Sequence, residues 1–459
     1  MRSLAFLAAL GLLPILGWCA SGFLRRASAA AGEFASFAGL GLVALAWTML
    51  LETWLGLPWT ILGMCLPFVV AGLVKLLKLL KLLKLGRREP RAPERRATVP
   101  RSAIPALLAT GGGLALCAWV AASGRATSDD LLLFWGPKAQ RFASAAGVDP
   151  AYLTSPSQFV LRPDYPPLLP FLYAWGSFFA GSFPWRTALL TLPLFVFLSA
   201  LAYRDAASRC VPAREAEEKT MLLVFLIGFA LTSAMCAGNA EPPLVFSEIL
   251  SLSALAFPPL RPHHELAASI GLAGAVLTKV EGAAFAGLIV LVYGLPRCFR
   301  ARSLRPILRL GGMPLLSLTL WVAYARLHGM RDAYGGHPNG EFTVRFAGTV
   351  LKELVRNASY GVAYAPWIVI AAVAFLSPRG RAWRAPAAVA IGDLAFIGFC
   401  YLHGGNADPT LWISWTAPRL LVTVLVCLFF AAAAPAREPG EPAGVSAREP
   451  AGFRPASGP

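Results

Sequence analysis

Long apolar runs, separated by short polar stretches, recur along this chain from its first residues to about residue 434. A window of roughly 17–25 predominantly apolar residues is long enough to cross a bilayer as an α-helix. About thirteen windows approach this length, and several of them are short. They lie at approximately 4–22, 36–54, 58–77, 103–122, 187–203, 220–237, 242–258, 266–278, 282–296, 308–326, 364–378, 385–402 and 419–434. The pattern predicts an all-α, polytopic membrane protein with about 11–13 transmembrane helices.

The composition agrees with this fold class. Of the 459 residues, 57% are hydrophobic and only 14% are charged, whereas about 25% of the residues of a soluble domain are charged. The first apolar run lacks a small-residue cleavage site, so we expect a retained anchor and not a signal peptide.

The net charge of +17 is explained by topology. Basic residues lie in short connections between apolar runs, and such residues favour the cytoplasmic side of a membrane. If residues 75–101 are cytoplasmic, alternation places most of the other Lys and Arg residues on the same side. The expected arrangement is an outward N-terminus and a cytoplasmic C-terminus. The topology therefore accounts for the charge. Membrane lipids are expected partners, and no nucleic-acid partner is expected.

Three regions follow along the chain. Residues 1–102 form an N-terminal transmembrane block that ends in a basic segment, which is either an ordinary cytoplasmic flank or an interfacial helix for anionic lipids. Residues 103–434 form the membrane core, and it carries the unusual polar motifs. Residues 435–459, rich in Pro, Gly and Glu, are expected to be a disordered cytoplasmic tail.

Cysteine and histidine chemistry is not indicated. The eight cysteines are scattered without a CxxC pair, and the five histidines show no metal-ligand spacing. These patterns argue against a disulfide framework and against a zinc site.

Two adjacent carboxylates, Asp129 and Asp130, precede the sequence LLLFWGPK. One explanation is helix capping, in which the acids lie in a first turn and face the helix dipole. The other is catalysis, in which one carboxylate is a general base and the second orients it or binds a divalent metal.

Lys138 follows Asp130 by eight residues, roughly two helical turns, and is expected on the same face. Trp135, one turn before Lys138, could stack on a sugar ring while the lysine meets a phosphate.

The other unusual polar motifs fall on the same, outer side of the predicted topology. RPDYPPLLP supplies Arg162, Asp164 and Tyr165, GNAEPP supplies Glu241, LTKVEG supplies Lys279 and Glu281, and the last outer loop supplies Asp408, Trp412 and Arg419. Polar groups gathered on one face predict an active site at the outer membrane–water boundary. A transporter more typically has ionisable groups near the bilayer midplane.

Less specific explanations stay open for several of these residues. Lys138 and Arg419 could be interfacial anchors, and Lys279 could simply pair with Glu281. Asp393 and Glu248 lie within predicted spans, where a buried acid is costly and indicates function.

Residues 103–434 resemble the bacterial GT-C glycosyltransferases, in particular the protein O-mannosyltransferase-like and aminoarabinose-transferase-like enzymes. The resemblance rests on an acidic residue after an early span, on W-x-x-K, and most specifically on PDYPPLLP and TKVEG. It implies a GT-C-like fold with loop helices on the outer face. It also implies transfer of a sugar from a polyprenyl-phosphate donor, with Asp130 as the catalytic carboxylate and Asp129 as the second choice.

The residue chemistry is compatible with such a transfer. A carboxylate would deprotonate the hydroxyl of a glycan, lipid or protein acceptor. The chain has no Gly-rich loop for a nucleotide, and no cofactor is certain, although a divalent metal remains an alternative. The candidates for stabilising the leaving phosphate are Lys138, Arg162, Lys279 and Arg419, and the other candidate substrate-binding residues are Asp164, Tyr165, Glu241, Glu281 and Trp412.

Two other function classes make different demands. A flippase or transporter of lipid-linked sugars would depend on Asp393 and Glu248 more than on Asp130. A polysaccharide polymerase or ligase would have long outer loops rich in Arg and His, which this chain lacks.

Overall fold

The computed structural model describes residues 1–21, 33–84, 101–257, 262–330, 347–359, 364–376, 381–403 and 409–435. Within these ranges helices are the only regular secondary structure, apart from one isolated parallel bridge between Thr127 and Ala237. The all-α prediction is therefore confirmed. Asp408, most of the basic segment and the predicted tail beyond residue 435 lie outside the described residues.

Twenty α-helices follow one another in the described part of the chain. They are α1 Arg2–Gly11, α2 Leu13–Ala20, α3 Glu33–Trp54, α4 Ile61–Lys84, α5 Ile104–Ala122, α6 Gly136–Ala145, α7 Pro150–Leu153, α8 Leu168–Ala180, α9 Trp185–Ala188, α10 Thr191–Ala207, α11 Ala213–Ser233, α12 Glu241–Leu255, α13 Pro262–Thr278, α14 Val280–Ile289, α15 Leu295–Ala301, α16 Arg305–Leu327, α17 Ala347–Ser359, α18 Tyr364–Leu376, α19 Arg384–His403 and α20 Pro409–Ala433. Two single π-helical stretches, Leu131–Trp135 and Val290–Gly294, connect α-helical segments.

Nine helical stretches of the described residues are long and apolar enough to cross a membrane. They are Arg2–Ala20, Phe34–Trp54, Ile61–Lys78, Arg101–Ala122, Trp185–Ala207, Val280–Ala301, Arg305–Leu327, Arg384–Leu402 and Trp412–Ala433. This number confirms a multi-pass membrane protein. It is smaller than the number of apolar windows because some helices are shorter or partly charged. For example, α12 has only 15 residues, and α11 begins with the charged sequence AREAEEK.

Helix α12 lies at the centre of the bundle. Every one of its residues is buried, and it packs against α10, α13 and α20. Peripheral helices instead expose large apolar side chains, as Leu62 of α4 and Leu108 of α5 do, with 76% and 70% of their surface accessible. Such exposure suits contact with lipid chains, since a soluble surface rarely presents large contiguous apolar patches.

The N-terminal helices pack onto the rest of the bundle. Helix α1 contacts α8, and α3 contacts α13. Helices α2 and α3 cross at Gly17 and Gly41, where a Cβ atom would lie 1.8 Å from the carbonyl oxygen of Phe37 and 1.9 Å from that of Leu13, respectively. Only glycine permits this approach of two backbones, a packing mode common between membrane helices.

Candidate functional site

A short pairing of two distant loops positions Asp130. The amide of Ala237 donates to the carbonyl of Ala126 at 2.8 Å, and the amide of Ser128 donates to the carbonyl of Ala237 at 3.1 Å. The hydroxyl of Ser128 then accepts from the amide of Asp130 at 3.2 Å. The bridge thus holds the start of the Asp130 segment beside the turn that precedes α12.

Asn239, in that turn, orients the Asp130 carboxylate. Its side chain is fully buried, and its Nδ2 donates to Oδ2 of Asp130 at 3.1 Å. Its Oδ1 accepts from the indole N–H of Trp135 and from the amide of Ala240, both at 2.7 Å. Because these two donors fix the oxygen end of the amide, the nitrogen end must face Asp130.

Arg419 of α20 approaches Asp130 from the opposite end of the chain. Its Nη1 donates to the same Oδ2 of Asp130, across 289 positions of sequence. Its Nε lies 3.9 Å from Oε1 of Glu241. The guanidinium therefore lies near two carboxylates from distant parts of the chain, Asp130 before the π-helical stretch and Glu241 at the start of α12.

A buried ion-pair network adjoins this guanidinium. Lys279, at the turn between α13 and α14, places its Nζ 3.0 Å from Oε1 of Glu241 and 3.4 Å from Oε1 of Glu281. Burial alone would lower the pKa of Lys279, but the carboxylates of Glu241 and Glu281 outweigh burial and raise that pKa above its ordinary value. Lys279 is therefore a permanent cation at neutral pH.

These groups surround one cavity of about 470 Å³. Its wall is more apolar than polar, and it combines aliphatic and aromatic side chains with charged ones. The lining residues are Asp130, Leu133, Phe134, Trp135, Arg162, Asp164, Tyr165, Lys279, Val280, Glu281, Phe396, Ile397, Cys400, Tyr401, Trp412, Thr416, Arg419 and Leu420. A cavity of this size and mixed polarity is typical of small-molecule sites.

The segment before α8 forms one side of the cavity, and hydrogen bonds from Lys138 and Trp321 hold its backbone. Arg162 has a left-handed backbone conformation, with φ of 45°. Its carbonyl accepts a 2.5 Å hydrogen bond from Nζ of Lys138, and the carbonyl of Asp164 accepts a 2.8 Å bond from the indole of Trp321. The guanidinium of Arg162 lies 5.3 Å from the ring centre of Tyr165. The hydrogen bonds from Lys138 and Trp321 therefore fix the backbone of this side of the cavity.

The structure brings together most of the residues that the sequence analysis selected. Nine of them line the cavity: Asp130, Trp135, Arg162, Asp164, Tyr165, Lys279, Glu281, Trp412 and Arg419. Glu241 lies directly behind the wall, where only 2% of its surface is accessible.

Asp129 and Lys138 are placed elsewhere. Asp129 is exposed and does not line the cavity. Lys138 is 2% accessible and supports Arg162 from beneath. The expected common face of Asp130 and Lys138 is absent because the π-helical stretch Leu131–Trp135 intervenes and changes the angular relation of the residues on either side.

Three residues that form side-chain hydrogen bonds at the site, Asn239, Tyr401 and Thr416, were not selected from the sequence. Asn239 binds Asp130, while Tyr401 donates or accepts a 2.7 Å hydrogen bond with Thr416 on the far wall and packs edge-on against Trp412. Asn239 could have been found, because it lies two positions before Glu241 in the same motif. Nothing in the local pattern marks the other two, which lie within apolar helices.

The positive charge beside Asp130 comes from the protein itself. No group of three or more His, Cys, Asp or Glu side chains in the described ranges is arranged to hold a metal ion. The guanidinium of Arg419 faces Asp130 instead.

Two further acids lie below the cavity. A chamber of about 10 Å³, which can hold about one water molecule, is lined by Glu241, Lys279, Asp393 and Thr423 among others. The hydroxyl of Thr423 donates to the fully buried Glu248 at 2.8 Å. The acids within the spans therefore adjoin the site and are not isolated from it.

Comparisons of this chain with protein-family models, with curated proteins and with solved structures gave no match. The chemistry of the site must therefore be argued from its own geometry. A carboxylate in such a cavity can accept a proton from a hydroxyl. The two cations that line the same cavity, Arg419 and Lys279, can stabilise a leaving anion.

Proposed function

We propose that this protein is a GT-C-like glycosyltransferase of the bacterial plasma membrane, with its site facing the periplasm or exterior. It would move a sugar from a polyprenyl-phosphate donor to the hydroxyl of a glycan, lipid or protein acceptor. The observation that carries the proposal is the meeting of Asp130, Arg419 and Lys279 at one cavity whose remaining wall is largely apolar. That combination suits a ligand with a phosphate, a sugar and a hydrocarbon chain.

In the proposed reaction Asp130 is the general base. It takes the proton of the acceptor hydroxyl as that oxygen forms a bond to the anomeric carbon of the sugar. The bond between the anomeric carbon and the donor phosphate breaks, and the phosphate leaves with the electron pair. Arg419 and Lys279 would stabilise the negative charge on the leaving phosphate. Direct displacement inverts the configuration of the anomeric carbon.

The apolar side of the cavity would receive the first part of the donor's hydrocarbon chain. Phe396, Ile397 and Leu420 provide this side, and they belong to α19 and α20. Trp412 and Tyr401 lie nearby with their rings 5.0 Å apart, and aromatic faces of this kind suit a sugar ring.

Lipid analysis of a deletion strain tests this function. Polyprenyl-phosphate sugar should accumulate in the deletion strain and in the strain complemented with Asp130→Asn, because an amide keeps the shape of the carboxylate but cannot accept the proton. Wild-type protein and Asp149→Asn should prevent accumulation. Asp149 is a matched control because it also pairs with an arginine, Arg141, but lies outside the cavity. Absence of any accumulated polyprenyl-phosphate sugar in the deletion strain would refute the proposal.

A second candidate, transport of a lipid-linked sugar, is favoured by the acids below the cavity. Asp393 lines the small chamber next to Lys279, and Glu248 is fully buried nearby. A transporter would depend on such groups more than on Asp130. In this case Asp393→Asn would be the more severe variant, and the lipid-linked sugar would stay on the cytoplasmic leaflet, inaccessible to reagents added outside.

A further inference from the structure

Two cations of the cavity, Arg419 and Lys279, are paired with carboxylates. Arg419 contacts Asp130 and lies near Glu241, and Lys279 contacts Glu241 and Glu281. The cavity wall carries three acidic and three basic side chains, Asp130, Asp164, Glu281 and Arg162, Lys279, Arg419. An anion that simply entered would meet carboxylates as closely as cations. A phosphate can bind closely to Arg419 or Lys279 only if it replaces a carboxylate on that cation.

The Asp130–Arg419 pair is the one that can open. Its side chains are 22% and 21% accessible, whereas those of Glu241 and Lys279 are 3% and 10% accessible. Water or a ligand can therefore reach the first pair more easily than the second. Asp130 would also keep a hydrogen bond after separation, since the buried Asn239 donates to it independently of Arg419.

We infer that the donor phosphate binds Arg419 by displacing Asp130, so that the base becomes available only when the donor is in place. This inference rests on the proposed function. While Arg419 holds Asp130, its guanidinium and the amide of Asn239 both donate to Oδ2, so this oxygen is occupied. When the phosphate takes the guanidinium, Asn239 keeps the carboxylate in position and Oδ2 becomes accessible to the acceptor hydroxyl. The exchange couples donor binding to the activation of Asp130.

The exchange predicts that a catalytically inactive variant binds phosphate more tightly. The probe is undecaprenyl phosphate in mixed detergent micelles, and binding is measured through the tryptophan fluorescence of the purified full-length protein. Asp130→Asn should bind about tenfold tighter than the wild type, because the phosphate no longer competes with a charge-assisted hydrogen bond to Arg419. Asp130→Ser provides a second variant if the amide disturbs folding. Asp149→Asn should bind like the wild type.

A double-mutant cycle separates displacement from the general removal of a negative charge. Displacement requires that the gain from Asp130→Asn disappears when Arg419 is replaced by glutamine. An equal gain in the Arg419→Gln background would mean that Asp130 acts only by repulsion, and the inference would be overturned. No gain in either background would overturn it as well. A wild-type protein that binds no undecaprenyl phosphate would instead remove the proposed function, and the inference with it.

Discussion

Glu241 is the carboxylate that should contribute most to the stability of the site. It lies 3.0 Å from Lys279 and 3.9 Å from Arg419, and 2% of its surface is accessible. Glu241→Gln would keep the shape of the side chain while leaving two cations with less compensation. We expect a loss of unfolding free energy of about 3 kcal/mol, the lower end of the range for breaking a buried ion pair. The lower end applies because Lys279 retains Glu281 at 3.4 Å.

A matched substitution on the surface gives the reference value. Glu218 pairs with Arg214 one helical turn away, and these side chains are 40% and 63% accessible. Glu218→Gln should cost only about 0.3–0.5 kcal/mol. Both variants replace glutamate by glutamine and remove one negative charge. The difference between their unfolding free energies therefore reports the effect of burying the ion pair.

The free energies can be measured by unfolding the protein in detergent micelles with an increasing fraction of sodium dodecyl sulfate, followed by far-UV circular dichroism. Raising the ionic strength should weaken the effect of Glu218→Gln and leave that of Glu241→Gln nearly unchanged. A cycle with Lys279→Gln should give a coupling above about 1 kcal/mol. If Glu241→Gln were as mild as Glu218→Gln, the argument for a buried, mutually dependent network would be wrong.

Three further predictions test packing, chemistry and topology. Gly41→Ala should lower the unfolding free energy by roughly 1–3 kcal/mol because its Cβ would strike the carbonyl of Leu13, whereas Gly111→Ala, where a Cβ meets nothing within 4 Å, should not. Arg419→Ala should slow transfer about tenfold to hundredfold. Arg419→Lys should recover only part of this loss, since an ammonium cannot form the bidentate contact of a guanidinium. Wild-type donor kinetics in the Lys variant would instead mean that Arg419 is a membrane anchor. In a cysteine-free background, single cysteines at the exposed positions Met235 and Val280 should react with a membrane-impermeant maleimide added outside intact spheroplasts, and one at Leu304 should not; the opposite pattern would invert the proposed topology.

Hydropathy predicts the membrane class well because a spanning helix must be apolar along its whole length. Hydropathy predicts the number and lengths of the individual helices less well. Helix α12 is shorter than a full span yet buried on every side, so its apolar character reflects contact with other helices as well as the membrane. The lengths of such helices depend on packing partners that the local sequence does not specify.

The site shows the same division between local and distant information. The charged motifs could be selected from the sequence because charges are rare in this chain and costly near a membrane. The choice between Asp129 and Asp130 as the cavity residue depends on the bridge between Thr127 and Ala237, which joins segments more than a hundred residues apart. The position of Lys138 depends on a π-helical stretch, and regular helical spacing cannot predict that irregularity.

The interpretation of Arg419 as an interfacial anchor can be weighed against its surroundings. An anchoring arginine extends its guanidinium into water or towards lipid head groups, whereas this one is 21% accessible and donates to a carboxylate from another part of the chain. Its pairing also meets a physical requirement, because a cation within a spanning helix is costly unless a nearby charge compensates it. Asp130 supplies that compensation in the free protein. The donor phosphate is also negatively charged, so it can replace Asp130 as the partner of Arg419. The need of Arg419 for a compensating charge therefore links the release of Asp130 to the binding of the donor.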